Sequence, residues 1–425
     1  MKALNPFLKV FIFLFSFVMI PSCDLFDNDD PPVDESEIGD VLWEHKAFDQ
    51  DKYFILNSMA YDNNTIYYAQ GGGTVIWTPT RINAVNAETG ELKWSSAELD
   101  HMDLSSDIVI GDGGVIYAIG FYTLYAIDPN NGEFLWTWKV PETITNSDGG
   151  ELYTFGQIGS LAIAKDGSLV LGSIGSGVYH RGIYGIDKSG TKRWHNLTAN
   201  EWGATSLVIN KDNIAYYYSS LNGKDVIYAL DIANGSVLWT KEIDLITSSA
   251  NNILITDNNS LICAVGLNGE ARRLHEIDCS SGDVLWSSID EVGYLNKIMN
   301  HNGVVFFDAP YGIYTLTIGG NGIKNKLIDP HFMDGVKIDS KNRFAMVHNI
   351  GFETNLVSYE MDGSQAQNIP YPGIDHRLFL LIPGNKLIVR ANNTIAALQA
   401  DATLSQSGGW PSYAHDMRNS RNVSR

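Results

Sequence analysis

One short phrase recurs along this chain: an apolar strand, a turn ending in glycine, and a tryptophan. Its clearest copy is Ile227-Tyr-Ala-Leu-Asp-Ile-Ala-Asn-Gly-Ser-Val-Leu-Trp239. Four others end at Trp94, Trp136, Trp194 and Trp286, and a decayed copy occupies residues 313–327. Such a repeat constrains the fold more than any single residue does, because each unit must bury its faces against its neighbours. The five tryptophans are spaced 42, 58, 45 and 47 residues apart. Four strands with their turns need about 40–50 residues, the period of a β-propeller blade.

Within a unit the pattern is strand-like. Ile227 to Leu230 ends at Asp231, a turn carries Gly235, and Val237 to Thr240 resumes, so β-branched and aromatic residues flank Asx/Gly turn chemistry. Upstream, 206–210 and 214–218 form a second hairpin around Lys211, Asp212 and Asn213. No stretch after residue 22 sustains a 3.6-residue apolar period, so helices should be few. The fold class expected is all-β, with four-stranded antiparallel blades. The third strand of the unit recurs near residues 82, 124, 183, 227, 274, 313, 356 and 394, which predicts eight blades. Seven is the alternative, because the units after Trp286 are degenerate. After residue 398 the chain is poor in strand formers, and residues 41–46, with Trp43 at the tryptophan position, are expected to supply the missing outer strand. That arrangement leaves no open edge.

The unit apolar-Tyr-Ala-apolar-Asp-x-x-x-Gly-x-apolar-apolar-Trp resembles the repeat of the pyrroloquinoline-quinone-like (PQQ-like) β-propellers, and the resemblance covers nearly all of the chain after residue 40. It implies that the repeated Trp and turn Gly dock neighbouring blades. The docking set is then Trp43, Trp94, Trp136, Trp194, Trp239 and Trp286, joined by Trp410 near the C-terminus. A tryptophan buries roughly 150–250 Å², so each docked ring contributes at most roughly 4–6 kcal/mol. Length and anchoring also resemble the propeller lipoproteins of the outer-membrane barrel-assembly machinery, which implies a scaffold.

Residues 1–22 read as a signal: Lys2 and Lys9 give a basic start, 10–20 an apolar core too short to span a bilayer, and Ile20-Pro21-Ser22-Cys23 a processing site. The site resembles a bacterial lipobox, from which Pro21 departs mildly, and implies a lipidated Cys23. The bland alternative is an ordinary secretory signal with an incidental cysteine. Residues 23–40, with eight acidic side chains and two prolines, read as a flexible tether. The propeller is expected over 41–405, followed by a capping segment over 406–425. That last segment holds Trp410 and Asp416 and resembles a Trp-Pro…Asp…Arg stretch flanking other exported PQQ-like propellers. The expected location is the bacterial outer membrane, on its surface or its periplasmic side, with the lipid as the membrane contact.

Removing Lys2 and Lys9 with the signal lowers the basic count from 29 to 27 against 49 acidic residues, a net charge of −22. An acidic domain with no basic stripe repels phosphate backbones, so nucleic acid is not an expected partner. Two further cysteines remain. A reversal at Asn268-Gly269 would set Cys263 opposite Leu274, five residues from Cys279, too far for a bridge at about 3.4 Å per residue. Both are expected to be free thiols.

Propeller geometry places every Asp-x-x-x-Gly turn on one face, while blade-to-blade links and middle-hairpin loops share the other. The long insertions collect on that second face, at 70–81, 141–160, 173–182, 200–202, 329–332 and 370–377. They supply the candidate binding residues Trp77, Tyr122, Tyr179, His180, Arg181, Trp202, Tyr371, Asp375, His376 and Arg377. Rings offer flat apolar contact and the charged groups oriented hydrogen bonds, which suits a glycan or a protein segment. The competing reading is that these side chains pack the loops on one another.

His180 and His376 lack metal-ligand spacing. Quinone-dependent dehydrogenases of the related fold carry vicinal cysteines and calcium ligands. This chain has no adjacent cysteines and no matching acidic cluster, so neither quinone nor calcium is expected and no catalytic residue is assigned. The expectation is a non-enzymatic binding or scaffold platform. Its alternatives are an outer-membrane assembly scaffold and, third, a quinone-dependent dehydrogenase-like enzyme.

Overall fold

The computed structural model describes residues 37–410 apart from 48–52, 73–79, 101–107, 121, 142, 146–150, 154–156, 175–181, 197–204, 222–223, 244–252, 268–271, 293–297, 310–311, 329–335, 351–352, 392 and 406–408. At some strand ends it describes the backbone alone. Cys23, the tether and residues 411–425 with Asp416 lie outside the described residues.

Eight antiparallel blades, each built on four strands, follow one another along the chain. Blade 1 is Tyr53–Asp62, Thr65–Gly72, Arg81–Asn86 and Leu92–Ser95. Blade 2 is Ile108–Ile110, Ile116–Ile119, Thr123–Ile127 and Phe134–Lys139. Blade 3 runs from Gln157–Ile163 through Leu169–Ile174 and Ile183–Ile186 to Lys192–Asn196. Blade 4 runs from Thr205–Ile209 through Ile214–Leu221 and Lys224–Asp231 to Val237–Ile243. Blade 5 comprises Ile253–Ile255, Ser260–Val265, Arg273–Asp278 and Val284–Ser287. Blade 6 comprises Ile298–His301, Val304–Ala309, Gly312–Thr317 and Asn325–Ile328. Blade 7 opens with only Lys337–Ile338 and continues with Phe344–Ile350, Glu353–Tyr359 and Gln365–Pro370. The single helical turn among the described residues is Asp112–Gly114.

Blade 8 closes the ring. Ile374–Ile382, Lys386–Ala391 and Thr394–Gln399 come from the C-terminal side, and Val41–Lys46 completes the sheet. Val41 pairs with Leu398 and Lys46 with Thr394. The fold is therefore an eight-bladed β-propeller sealed by its N-terminal strand, with the register that Trp43 foreshadows.

Third strands such as Ile183–Ile186 are buried at every position, because a neighbouring blade covers each face. Outer strands such as Phe134–Lys139 alternate between half-buried and exposed. Apolar clusters lie between blades, so the core is a ring of interfaces with no single centre. Tyr67, Ile82 and Trp94 of blade 1, for example, pack on Ile110, Ile116 and Tyr125 of blade 2.

The repeat's aspartate builds its turn. Asp231 Oδ1 accepts from Ala233 N at 2.8 Å, and Asp187 Oδ1 accepts from Ser189 N and Thr191 N, both at 2.9 Å. The glycine then adopts a left-handed conformation, with φ of 78° at Gly132. A Cβ there would lie 2.5 Å from Cε3 of Trp94 in the preceding blade. Each indole thus covers the next blade's turn and donates to it. Trp94 Nε1 bonds Pro129 O at 2.8 Å, Trp136 bonds Lys188 O at 3.0 Å and Trp194 bonds Ile232 O at 2.7 Å. Trp239 bonds Cys279 O at 3.0 Å, Trp286 bonds Gly320 O at 3.3 Å, and Trp43 of the closing strand bonds Ala87 O at 3.1 Å. Trp43, Trp94 and Trp194 are buried, whereas Trp136, Trp239 and Trp286 are partly open.

Candidate functional site

The strand order fixes two faces. Hairpin turns between first and second strands, and between third and fourth, share one face; second-to-third loops and blade links share the other. An additional hairpin, Thr143–Thr145 with Glu151–Tyr153, lies within the 141–160 insertion between blades 2 and 3. The 173–182 insertion is pinned at its base by Ser173 N to Gly182 O (2.9 Å) and Gly182 N to Ser173 Oγ (2.8 Å). At 70–81 the base is held by the Gln70–Arg81 strand pair and an Arg81–Glu98 ion pair at 2.8 Å. These insertions are therefore mounted on fixed strand ends.

Of the candidate binding residues, Trp77, Tyr179, His180, Arg181 and Trp202 lie outside the described residues. Tyr122 is half-buried in the middle loop of blade 2, where its carbonyl accepts from Val140 N at 3.0 Å, and burial raises its phenol pKa. Tyr371 sits in the link to blade 8 and donates to Glu44 Oε1 at 2.6 Å. Burial, reinforced by that carboxylate, raises its pKa. Its hydroxyl therefore holds the closing strand. On the same strand His45 Nε2 bonds the Tyr68 hydroxyl at 3.0 Å, and burial lowers the imidazole pKa.

Asp375, His376 and Arg377 require a correction. They are not loop residues: their backbone belongs to the first strand of blade 8, Ile374–Ile382. The pairing jumps from Ile374↔Ala391 to Phe379↔Val389, so this stretch is an irregularity within a strand. Local polarity resembles a loop because a bulge interrupts alternation without ending the sheet. The cysteine register is also one residue off the expected one: Cys263 pairs with His275, and Leu274 with Ala264. Both thiols are free and buried, and burial pushes each up to about 12.

Trp410 forms a short strand with Gly409 beside the first strand of blade 6. Sequence reasoning missed the group that secures this end of the chain. Arg343 Nη2 reaches Asp401 Oδ1 at 2.6 Å and Asp339 Oδ2 at 2.7 Å, and Lys341 Nζ reaches Asp401 Oδ2 at 2.7 Å. The Arg343 guanidinium lowers the Asp401 carboxyl to about 2. Residues 58 positions apart give no local signal of such a contact.

Thiols and acidic side chains are the groups that the resemblance to quinone-dependent propellers singles out. Among the described residues no three His, Cys, Asp or Glu side chains gather as metal ligands. Cys263 and Cys279 stand on different segments with different partners: the thiol of Cys263 donates to His275 O, and Cys279 O accepts from Tyr216 and Trp239.

The sequence family described as outer membrane protein assembly factor BamB matches residues 78–317, more than half of the chain. The chain belongs to this family. Among curated relatives, the outer membrane protein assembly factor BamB of Moranella endobia is 25% identical over 283 residues, covering 64% of this chain and 67% of that protein. A tetrathionate hydrolase of Acidithiobacillus ferrooxidans is 22% identical over 284 residues, covering 56% of this chain and 52% of the hydrolase. The chain therefore spans about half the length of that enzyme. In fold, the structure is similar to Chaetomium thermophilum Sqt1 bound to the N-terminus of ribosomal protein L10. That match has a TM-score of 0.59 at 11% identity and covers 86% of this chain and 100% of Sqt1. At that identity the likeness speaks for architecture alone.

Proposed function

We propose that this protein is a non-enzymatic binding platform of the bacterial envelope, held to the outer membrane through a lipidated Cys23, and that it engages a protein partner through the insertion-bearing face. The family match over 78–317 carries this reading, because the relatives' name describes work on outer membrane proteins. Physical support comes from the ring, whose paired strand ends hold the bases of the 70–81 and 173–182 insertions in place. Candidate contact residues are Trp77, Tyr122, Tyr179, His180, Arg181 and Trp202, with Asp375, His376 and Arg377 at the rim. Deleting residues 173–182 in the native host should lower the abundance of outer-membrane β-barrel proteins while the ring stays folded. Unchanged abundance would count against the assembly role. Radiolabelled palmitate should enter the wild type and not Cys23→Ala.

A glycan ligand is the alternative for the same loops, since aromatic and charged side chains are interspersed there. Retention on polysaccharide columns that loop deletion abolishes, with barrel proteins unaffected, would favour it. The match to a tetrathionate hydrolase motivates an enzymatic reading. Tetrathionate consumption by the purified protein would establish that reading and displace the platform.

A further inference from the structure

The outer strands of blades 6 and 7, Asn325–Ile328 and Gln365–Pro370, contain no tryptophan, so neither supplies the indole that docks the other seams. The chain beyond blade 8 runs along these same blades. Ala400 N donates to Asn385 O at 2.7 Å in blade 8. Ser340 N then donates to Thr403 O at 2.8 Å, Leu404 bridges Asp339, and Ser405 N donates to Ile338 O at 2.8 Å, all on blade 7. Finally Gly409 and Trp410 pair with His301 and Asn300, so blade 6 has five strands with the addition beside its first strand.

We propose that residues 400–405, with Gly409 and Trp410, form a clamp that fastens blades 8, 7 and 6 from the inner side of the ring, in place of the indole docking that the outer strands of blades 6 and 7 do not supply. The first-strand edge of blade 6 is then a strand-acceptor site, taken in cis by Gly409 and Trp410. A partner strand that reaches this edge must first displace the clamp.

Three observations carry this. The clamp adds backbone pairing where blade 7 is weakest, beside a first strand of only two residues. Its anchor is ionic and enclosed: the Arg343 and Asp339 side chains are 8% and 2% exposed, and Arg343 Nη1 and Nη2 grip both Asp401 oxygens, at 3.0 and 2.6 Å. A forked guanidinium–carboxylate pair fixes direction as well as distance, and removing Asp401 would leave part of a buried cation uncompensated. Leu404 is 3% exposed and belongs to the apolar cluster shared by blades 7 and 8, so the clamp is also packed.

Hydrogen exchange measured by mass spectrometry on the full chain tests the clamp. The variants are Asp401→Asn, which weakens the ion pair, and Ser405→Pro, which removes the backbone donor to Ile338 and leaves the ions in place. Both should speed amide exchange across 298–307 and 337–347 by at least about ten-fold, with 108–119 and 160–171 unchanged. Unchanged rates in blades 6 and 7 for both variants would overturn the proposal. Equal acceleration in all blades would overturn it too, since that reports general stability and no local fastening. If Ser405→Pro accelerates exchange and Asp401→Asn does not, the assignment of the ion pair as anchor fails.

Discussion

The ring is fastened in two different ways along its circumference. From the closing strand round to blade 6, each seam carries a tryptophan that covers the next turn and donates to a carbonyl there. At the remaining two seams the outer strands, Asn325–Ile328 and Gln365–Pro370, offer no tryptophan. Blade 6 instead brings its backbone against the next turn, where a Cβ on Gly363 would lie 2.6 Å from Leu327 O. Phe306, Phe344 and Tyr359 fill the interface, with Phe344 and Tyr359 stacked at 5.3 Å. The difference shows that a seam can be closed without the repeat's tryptophan, by close backbone approach and stacked rings.

The largest expected effect separates the two arcs. Trp94→Ala should destabilise the protein by about 3–5 kcal/mol, the range for a large aromatic removed from a packed seam. Gln367→Ala in the outer strand of blade 7 should stay within about 0.5 kcal/mol. Urea midpoints at constant slope measure both, and equal shifts would erase the distinction.

The next effect is confined to acid. Asp401 has its folded pKa lowered from 3.8 to about 2 by Arg343, so it stabilises the fold above its unfolded value and loses that contribution as pH falls through about 2. The contribution is about 2 kcal/mol at neutral pH. Asp401→Asn should be less stable than wild type at pH 6, and the two should converge toward pH 2. A constant gap across that range would show that the carboxylate's charge is not what Arg343 recognises.

Smaller again is Tyr371→Phe, which removes the hydroxyl bound to Glu44 and should cost about 1 kcal/mol in the urea midpoint. Least perturbing is a labelling experiment. The thiols of Cys263 and Cys279 are buried and pushed up to about 12, so a thiol reagent at pH 8 should leave both unmodified until the blade 4–5 region opens. Labelling faster in Trp239→Ala than in wild type would tie that opening to the indole seam.

Much of the fold was legible because it rests on local rules. The Asp and Gly of each phrase encode a turn, continuous apolar strands encode burial on both faces, and the spacing of the tryptophans encodes a blade. Even the closing strand was legible, since Val41–Lys46 carries the same tryptophan as its counterparts. The candidate binding face was legible only as composition. Polar residues at 375–377 look the same in a loop and in an interrupted strand, and only the pairing of Ile374 with Ala391 assigns them to blade 8.

By itself the sequence determined an all-β ring of repeated hairpins, because period and turn chemistry act over a dozen residues at a time. Tertiary structure alone decided what holds the degenerate arc. Asp401 meets Arg343, and Trp410 meets Asn300, only after the chain has completed the circle. Charge pairing and strand addition at that range depend on the path of the backbone, and no local pattern records that path.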